Sequence, residues 1–252
     1  SAAGFSRAAV RQYRAGDVAA SLRAAADAAA IAAGADPAIA GRTVRSAIVA
    51  QQTLVENLVL VGAAEQAGII VASLSHPATR ALLLARTAAG YQQIGELAQA
   101  VGALAQAQAL VSRISSIEDQ LAVLSAVAQQ FVALDLADSA LDVANQAIDV
   151  GLEAALTAAD WSTVLPALEQ LGRVLAELDR VEPLRAFLEE LPSAYLPASV
   201  SLAAAEPLIV ERLRGVADDL LVFALLQVNS ETPSRDELLR DIVSGFASNG
   251  NF

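Results

Sequence analysis

Two stretches of this chain superimpose at a fixed offset. Leu84, Ala88, Tyr91, Ala100 and Ala107 recur forty residues on as Leu124, Ala128, Phe131, Ala140 and Ala147. Every position is apolar, the spacings are helical, and each set divides between two helices separated by a turn. A helix pair repeated at about 34–47 residues is the signature of an α-solenoid. One such unit cannot bury its apolar face alone, so it must stack on its neighbours. The expected fold is therefore all-α, built of stacked antiparallel helix pairs, and its expected use is binding rather than catalysis.

Composition agrees with that architecture. Hydrophobic residues make up 55% of the 252, mostly Ala, Leu and Val, and aromatics only 4%. Small side chains let helix backbones approach closely. Gly and Pro fall between the periodic stretches, which predicts short turns. The absence of Cys excludes disulfides, thiolate metal sites and a Cys nucleophile. Cys and Met are the oxidation-prone side chains, and the sequence has neither. That leans toward an exported, oxidising setting over the cytoplasm. With no Met to initiate, Ser1 is expected to be a processed or cut start.

The most apolar run, Leu58 to Leu74, is interrupted by Glu65 and Gln66. A span needs about 20 apolar residues and tolerates mid-membrane charge poorly, so the run reads as the end of one buried helix and the start of the next. Charge is lopsided. Residues 1–115 hold 9 Arg and 6 acids, whereas residues 116–252 hold 7 Arg and 22 acids. No basic residue occurs between Ile114 and Gly172. Such a surface repels nucleic acid and anionic lipid and suits either plain solvation or a basic partner. The Arg-bearing first half and the acidic second half could also pair head to tail in a homo-oligomer.

The periodicity resolves into helix pairs. The first covers Phe5 to Ala33 and turns at Ala15-Gly16-Asp17. The second runs from Arg42 to Ser73 with a turn near Gly62. The third starts after His76-Pro77, turns at Gly95 and ends near Ser115. The fourth starts near Ser116, turns at Leu134-Asp135 and ends at Gly151 or Ala158. The fifth follows Asp160-Trp161-Ser162, turns near Asp179 and stops at Leu191-Pro192. A looser sixth covers Ala198 to Val228 with its turn near Gly215. Thr232-Pro233-Ser234 then opens another helix, in which Leu239, Val243, Phe246 and Gly250 repeat the spacing of Leu84, Ala88, Tyr91 and Gly95. Residues 232–252 are either a capping helix or a truncated repeat.

Leu84, Ala88, Tyr91, Gly95, Ala100, Leu104 and Ala107 resemble the tetratricopeptide repeat (TPR) pattern, in its degenerate bacterial form with a period near 40. Val55, Leu58, Gly62 and Ala67 resemble it one repeat earlier. The likeness is clearest over 41–156 and weaker over 5–35, 161–192, 198–229 and 232–252. Asp135 stands where the turn Gly would be, and 193–231 shows little of the motif. The resemblance implies one solenoid over 1–252, a right-handed α-α superhelix, and a non-enzymatic scaffold for a protein or peptide partner with no cofactor. It also implies a groove lined by the first helix of each pair. In the early repeats that row comprises Tyr13, Gln52, Glu56, Arg86, Ala89, Gln92 and Gln93. It continues through Gln129, Glu169 and Arg173. Gln and Arg can hydrogen-bond an extended peptide backbone, although the same residues also suit ordinary solvent-facing positions. The alternative is a helical module that binds a small apolar ligand or pigment between Ala-rich layers.

Other chemistry is sparse. His76 is the only histidine, placed to cap a helix. The acid pairs Glu118-Asp119, Glu189-Glu190 and Asp218-Asp219 are adjacent, so on a helix their side chains diverge. Asp135, Asp138 and Asp142 share a face at a helix start, where the dipole favours acids. No phosphate loop, zinc spacing, calcium loop or nucleophile elbow occurs. Trp161 is expected to pack between repeats, and Tyr195, between two prolines, to sit in a loop.

Overall fold

The computed structural model describes Arg11, Val55, Leu58 and Val59 and, from Ala63 to Asn249, every residue except 73, 75, 194, 211–213, 230 and 231. The pair expected over Phe5–Ala33, the turn near Gly62, and Gly250 lie outside the described residues. Those residues fall in two compact units, Ser1–Arg113 and Ile114–Phe252. Among the described residues, ten α-helices have both ends placed, and the fold is an all-α helical repeat. Among the described residues, no helix is long and apolar enough to cross a membrane.

In the first unit, α1 (Ala64–Ala72) packs on α2 (Pro77–Gln93), and α2 pairs with α3 (Leu97–Leu110), which ends in a short 3-10 turn at Val111–Arg113. His76 caps α2. Its Nδ1 accepts the Thr79 N–H at 3.4 Å, and Pro77 fills a first-turn position where no N–H is needed. Leu84 and Ala88 of α2 and Ala100, Leu104 and Ala107 of α3 are buried, so the repeat positions form the hairpin's core.

The second unit contains α4 (Ile117–Ala133), α5 (Ala137–Thr157), α6 (Leu165–Glu177), α7 (Val181–Glu190), α8 (Tyr195–Val210), α9 (Arg214–Gln227) and α10 (Arg235–Asn249). Ser116 opens it as an N-cap, its Oγ accepting the Asp119 N–H at 3.1 Å. Leu124, Ala128 and Phe131 of α4 and Ala140 and Ala147 of α5 are buried. They repeat, forty residues later, the set in the first unit.

One turn closes three of these hairpins. After α2, Gly95 has φ 80°; its N–H donates to the Gln92 carbonyl at 3.0 Å, and the Glu96 N–H donates to Tyr91 at 2.9 Å. After α4, Asp135 has φ 59° with the matching bonds to Val132 and Phe131, both at 2.9 Å. After α6, Asp179 has φ 55° with bonds to Ala176 at 3.0 Å and Leu175 at 2.8 Å. This paired bonding is the Schellman motif, which satisfies the last helical carbonyls and sends the next helix back along the first. Asp is the substitute a left-handed position tolerates best after Gly and Asn, because its side chain is short and polar.

The first helices of successive pairs pack on one another in the second unit: α6 contacts both α4 and α8, and α10 contacts α8. At the α6–α8 crossing the approach is close enough that a Cβ on Gly172 would stand 2.8 Å from Val200 Cγ1 and 3.1 Å from the Val200 carbonyl oxygen. Ala198 of α8, Ala224 of α9, and Leu238 and Ile242 of α10 form one core cluster, with Leu202 and Phe246 packed against it.

Two features differ from the sequence expectation, the start of α8 and the register of α10. α8 ends at Val210 and α9 begins at Arg214, so Gly215, near which the turn is expected, is the exposed second residue of α9. Tyr195 is not in a loop but begins α8. Of the two ends expected for α5, Gly151 and Ala158, the second is the one observed: Gly151 is buried within the helix, which continues to Thr157 with Ala158 as its C-cap. In α10 the core side is Leu238 and Ile242, while Val243 is 52% exposed. The apolar register there is one residue earlier than the spacing of Leu239 and Val243 predicts.

Candidate functional site

Gln52, Glu56 and Tyr13 lie outside the described residues. Arg86, Ala89, Gln92 and Gln93 sit on α2 of the first unit, with Arg86 and Gln93 exposed and Ala89 and Gln92 half-buried. Gln129, Glu169 and Arg173 belong to the second unit, and each of the three is tied to a neighbouring first helix. Gln170 of α6 donates through Nε2 to Gln129 Oε1 of α4 at 2.6 Å. Ser199 of α8 donates to Glu169 Oε1 of α6 at 2.7 Å. Arg173 Nε of α6 meets Glu206 Oε2 of α8 at 3.3 Å. These side chains bridge successive repeats across the first-helix face. The lateral bonding follows from close helix approach, which puts long polar side chains within reach of the adjacent helix.

Beside that ladder lies an open groove of about 700 Å³. Glu169 and Arg173 of α6 form one part of its lining. From α8 come Tyr195, Ser199 and Glu206, spaced as one helical stripe. From α10 come Glu237, Asp241, Ser244 and Ser248, again three and four apart. Leu202, Leu221 and Leu238 supply apolar floor. The groove thus belongs to the first helices α6, α8 and α10, with α9 behind it. Burial, then the carboxylates of Glu169 and Glu237, push the Tyr195 phenol above its ordinary pKa of 10.0. Four carboxylates against one guanidinium in its lining give the groove a negative potential.

Sequence reasoning reached Glu169 and Arg173 but not Tyr195, Ser199, Glu206, Glu237 or Asp241. The TPR-like motif is faint over 193–231, and burying α8 and α9 needed no motif residue there. The signal that could have found them is polar periodicity: Tyr195, Ser199 and Glu206, then Glu237, Asp241, Ser244 and Ser248, each recur at helical spacing.

The remaining singled-out residues are structural. Asp160 Oδ1 accepts the Ser162 N–H at 2.9 Å, and this bond holds its carboxyl below the usual range. It caps the 3-10 turn that begins at Trp161, which is half-buried. Asp135 occupies a turn, and Asp138 and Asp142 are exposed at the start of α5. Among the described residues, no group of three or more His, Cys, Asp or Glu is placed to hold a metal ion.

No protein-family model and no curated protein sequence matches the chain. Among solved structures, the chain is similar to the nearly identical TPR-like repeats of a kinesin light chain from Podosopora anserina. That match has a TM-score of 0.45 and 18% identity over 71% of this chain and 94% of that one. It is also similar to Ton1535 from Thermococcus onnurineus NA1, at TM-score 0.44 and 13% identity over 98% of this chain and 83% of that one. The TPR-like character itself stands on the chain's own hairpins, its repeated Schellman turns and its stacked first helices.

Proposed function

We propose that the protein is a non-enzymatic helical-repeat scaffold that presents the first-helix face of its stacked pairs to a protein or peptide partner. The observation that carries this reading is the side-by-side packing of α6, α8 and α10, which leaves an open, mixed polar and apolar groove. A groove open along its helices suits a chain segment. An enclosed apolar cavity would suit a pigment or lipid better, and the carboxylates lining this one disfavour such a ligand.

The test is affinity capture from lysate of the source cells, comparing wild-type protein with Ser244→Arg/Ser248→Arg and with Gln92→Ala/Gln93→Ala. The serines line the groove and are exposed, so two Arg side chains would fill it without disturbing the core. A stoichiometric protein lost only with the serine variant supports the groove. One lost only with the glutamine variant assigns binding to α2 of the first unit. No stoichiometric partner under any condition would remove the scaffold reading.

A further inference from the structure

We infer that the α6–α8–α10 groove selects an extended, cationic peptide segment, one bearing Lys or Arg at alternate positions. This deepens the scaffold reading and rests on it. Four carboxylates line the groove, those of Glu169, Glu206, Glu237 and Asp241, against the single guanidinium of Arg173. That guanidinium is already engaged by Glu206, and Glu169 accepts the Ser199 hydroxyl. Glu237 and Asp241 are exposed and make no ion pair among the described residues. Both carboxylates stand exposed in the groove lining, where a ligand can reach them.

Spacing favours a peptide over a lone cation. Glu237 and Asp241 are four residues apart on α10, a rise of about 6 Å along the helix. Alternate side chains of an extended strand repeat at about 6.6 Å on one face. Two cations at every second residue therefore match the two carboxylates with little strain. The intervening side chains point to the other face of the strand, where the lining from α8 offers Leu202 and the hydroxyls of Tyr195 and Ser199. The second half of the chain points the same way, since residues 116–252 hold 22 acids against 7 Arg and would steer a basic segment inward before contact. An acidic segment would meet repulsion at the same positions.

The experiment is fluorescence anisotropy with three labelled peptides of equal length, alternating Lys-Leu, Gln-Leu and Glu-Leu. Each is titrated with wild-type protein, with Glu237→Gln/Asp241→Asn, and with Glu189→Gln/Glu190→Gln. The last pair is exposed on α7, outside the groove lining, and removes the same charge. Circular dichroism checks that each variant is folded. The expected result is binding of the Lys peptide that weakens about tenfold in the α10 variant and not in the α7 variant. It should also disappear near 1 M salt, where screening acts within about 3 Å. Equal weakening in both variants would reduce the effect to net charge and overturn the proposal. Equal binding of the Gln or Glu peptide would overturn cation selection while leaving a peptide-binding scaffold. Binding of no peptide would overturn the groove's role, and affinity capture would then decide the scaffold reading separately.

Discussion

At the scale of single residues, the hairpins depend on left-handed backbone at three positions, occupied once by Gly and twice by Asp. A Cβ on Gly95 would meet nothing within 4 Å, so space does not dictate the glycine; its φ of 80° does. Gly95→Ala should therefore cost about 1 kcal/mol through backbone strain alone. At Asp135, Gly relieves strain but adds unfolded-state entropy, so Asp135→Gly should change stability by less than about 1 kcal/mol. Asp135→Val, β-branched at positive φ, should cost about 1–2 kcal/mol. Urea unfolding midpoints rank the three, and an unaffected valine variant would refute the turn argument. Ser116 offers a second test. Its Oγ caps α4 and also donates to Glu118 Oε2 at 2.7 Å, which holds that carboxyl below its ordinary 4.5. A carboxylate with a lowered folded pKa stabilises the fold above its unfolded value and loses that contribution as the pH falls through the folded one. Ser116→Ala should remove about 1 kcal/mol of capping at neutral pH and return the Glu118 titration, followed by carboxyl NMR, toward 4.5.

At the scale of elements, close approach of first helices sets the geometry of the groove. Gly172→Ala would place a methyl group against the Val200 carbonyl, which belongs to the α8 backbone and cannot swing away. The expected cost is about 1–3 kcal/mol, with weaker peptide binding because α6 and α8 must part. Gly102→Ala, a helical glycine with nothing within 4 Å of its Cβ, is the control. It should be neutral or stabilising by up to about 1 kcal/mol. Equal losses in the two would deny the crossing its tight fit. The same elements mark how far the sequence could be read. Apolar spacing with Gly or Asp at the turn defined α2 to α7, because each hairpin there hides a period of large and small side chains. It misjudged the end of the chain for physical reasons. The Leu-Leu pair at 238–239 leaves a helical register ambiguous by one residue, and only packing against Ala198 and Ala224 selects Leu238. The groove was half legible. Glu169 and Arg173 follow from the repeat, whereas Glu237 and Asp241 depend on α10 folding against α8, a contact that no local pattern encodes.

At the scale of the molecule, charge dominates. The net charge is −12: residues 116–252 carry −15, and residues 1–115 carry +3. Two ion pairs, Arg173–Glu206 and Arg235–Asp236, are each 3.3 Å long and partly or largely exposed, and exposed pairs contribute at most about 1 kcal/mol. With 28 acids against 16 basic residues, cations are too few to offset repulsion among the carboxylates, and added salt should stabilise the fold by screening it. Between about 10 mM and 0.15 M salt the screening length falls from about 30 to 8 Å, short enough to uncouple carboxylates on separate helices. Relief of about 1 kcal/mol would raise Tm by about 2–4 °C for a chain of this size. Sedimentation over the same range separates this effect from self-association: copies held head to tail by the Arg-bearing and acidic halves would dissociate as salt rises, whereas repulsion within one copy leaves the sedimentation coefficient constant. A Tm that falls with salt at constant mass would mean that attractive pairs outweigh the repulsion, and the acidic half would then be a self-neutralised surface rather than one left open to a basic partner.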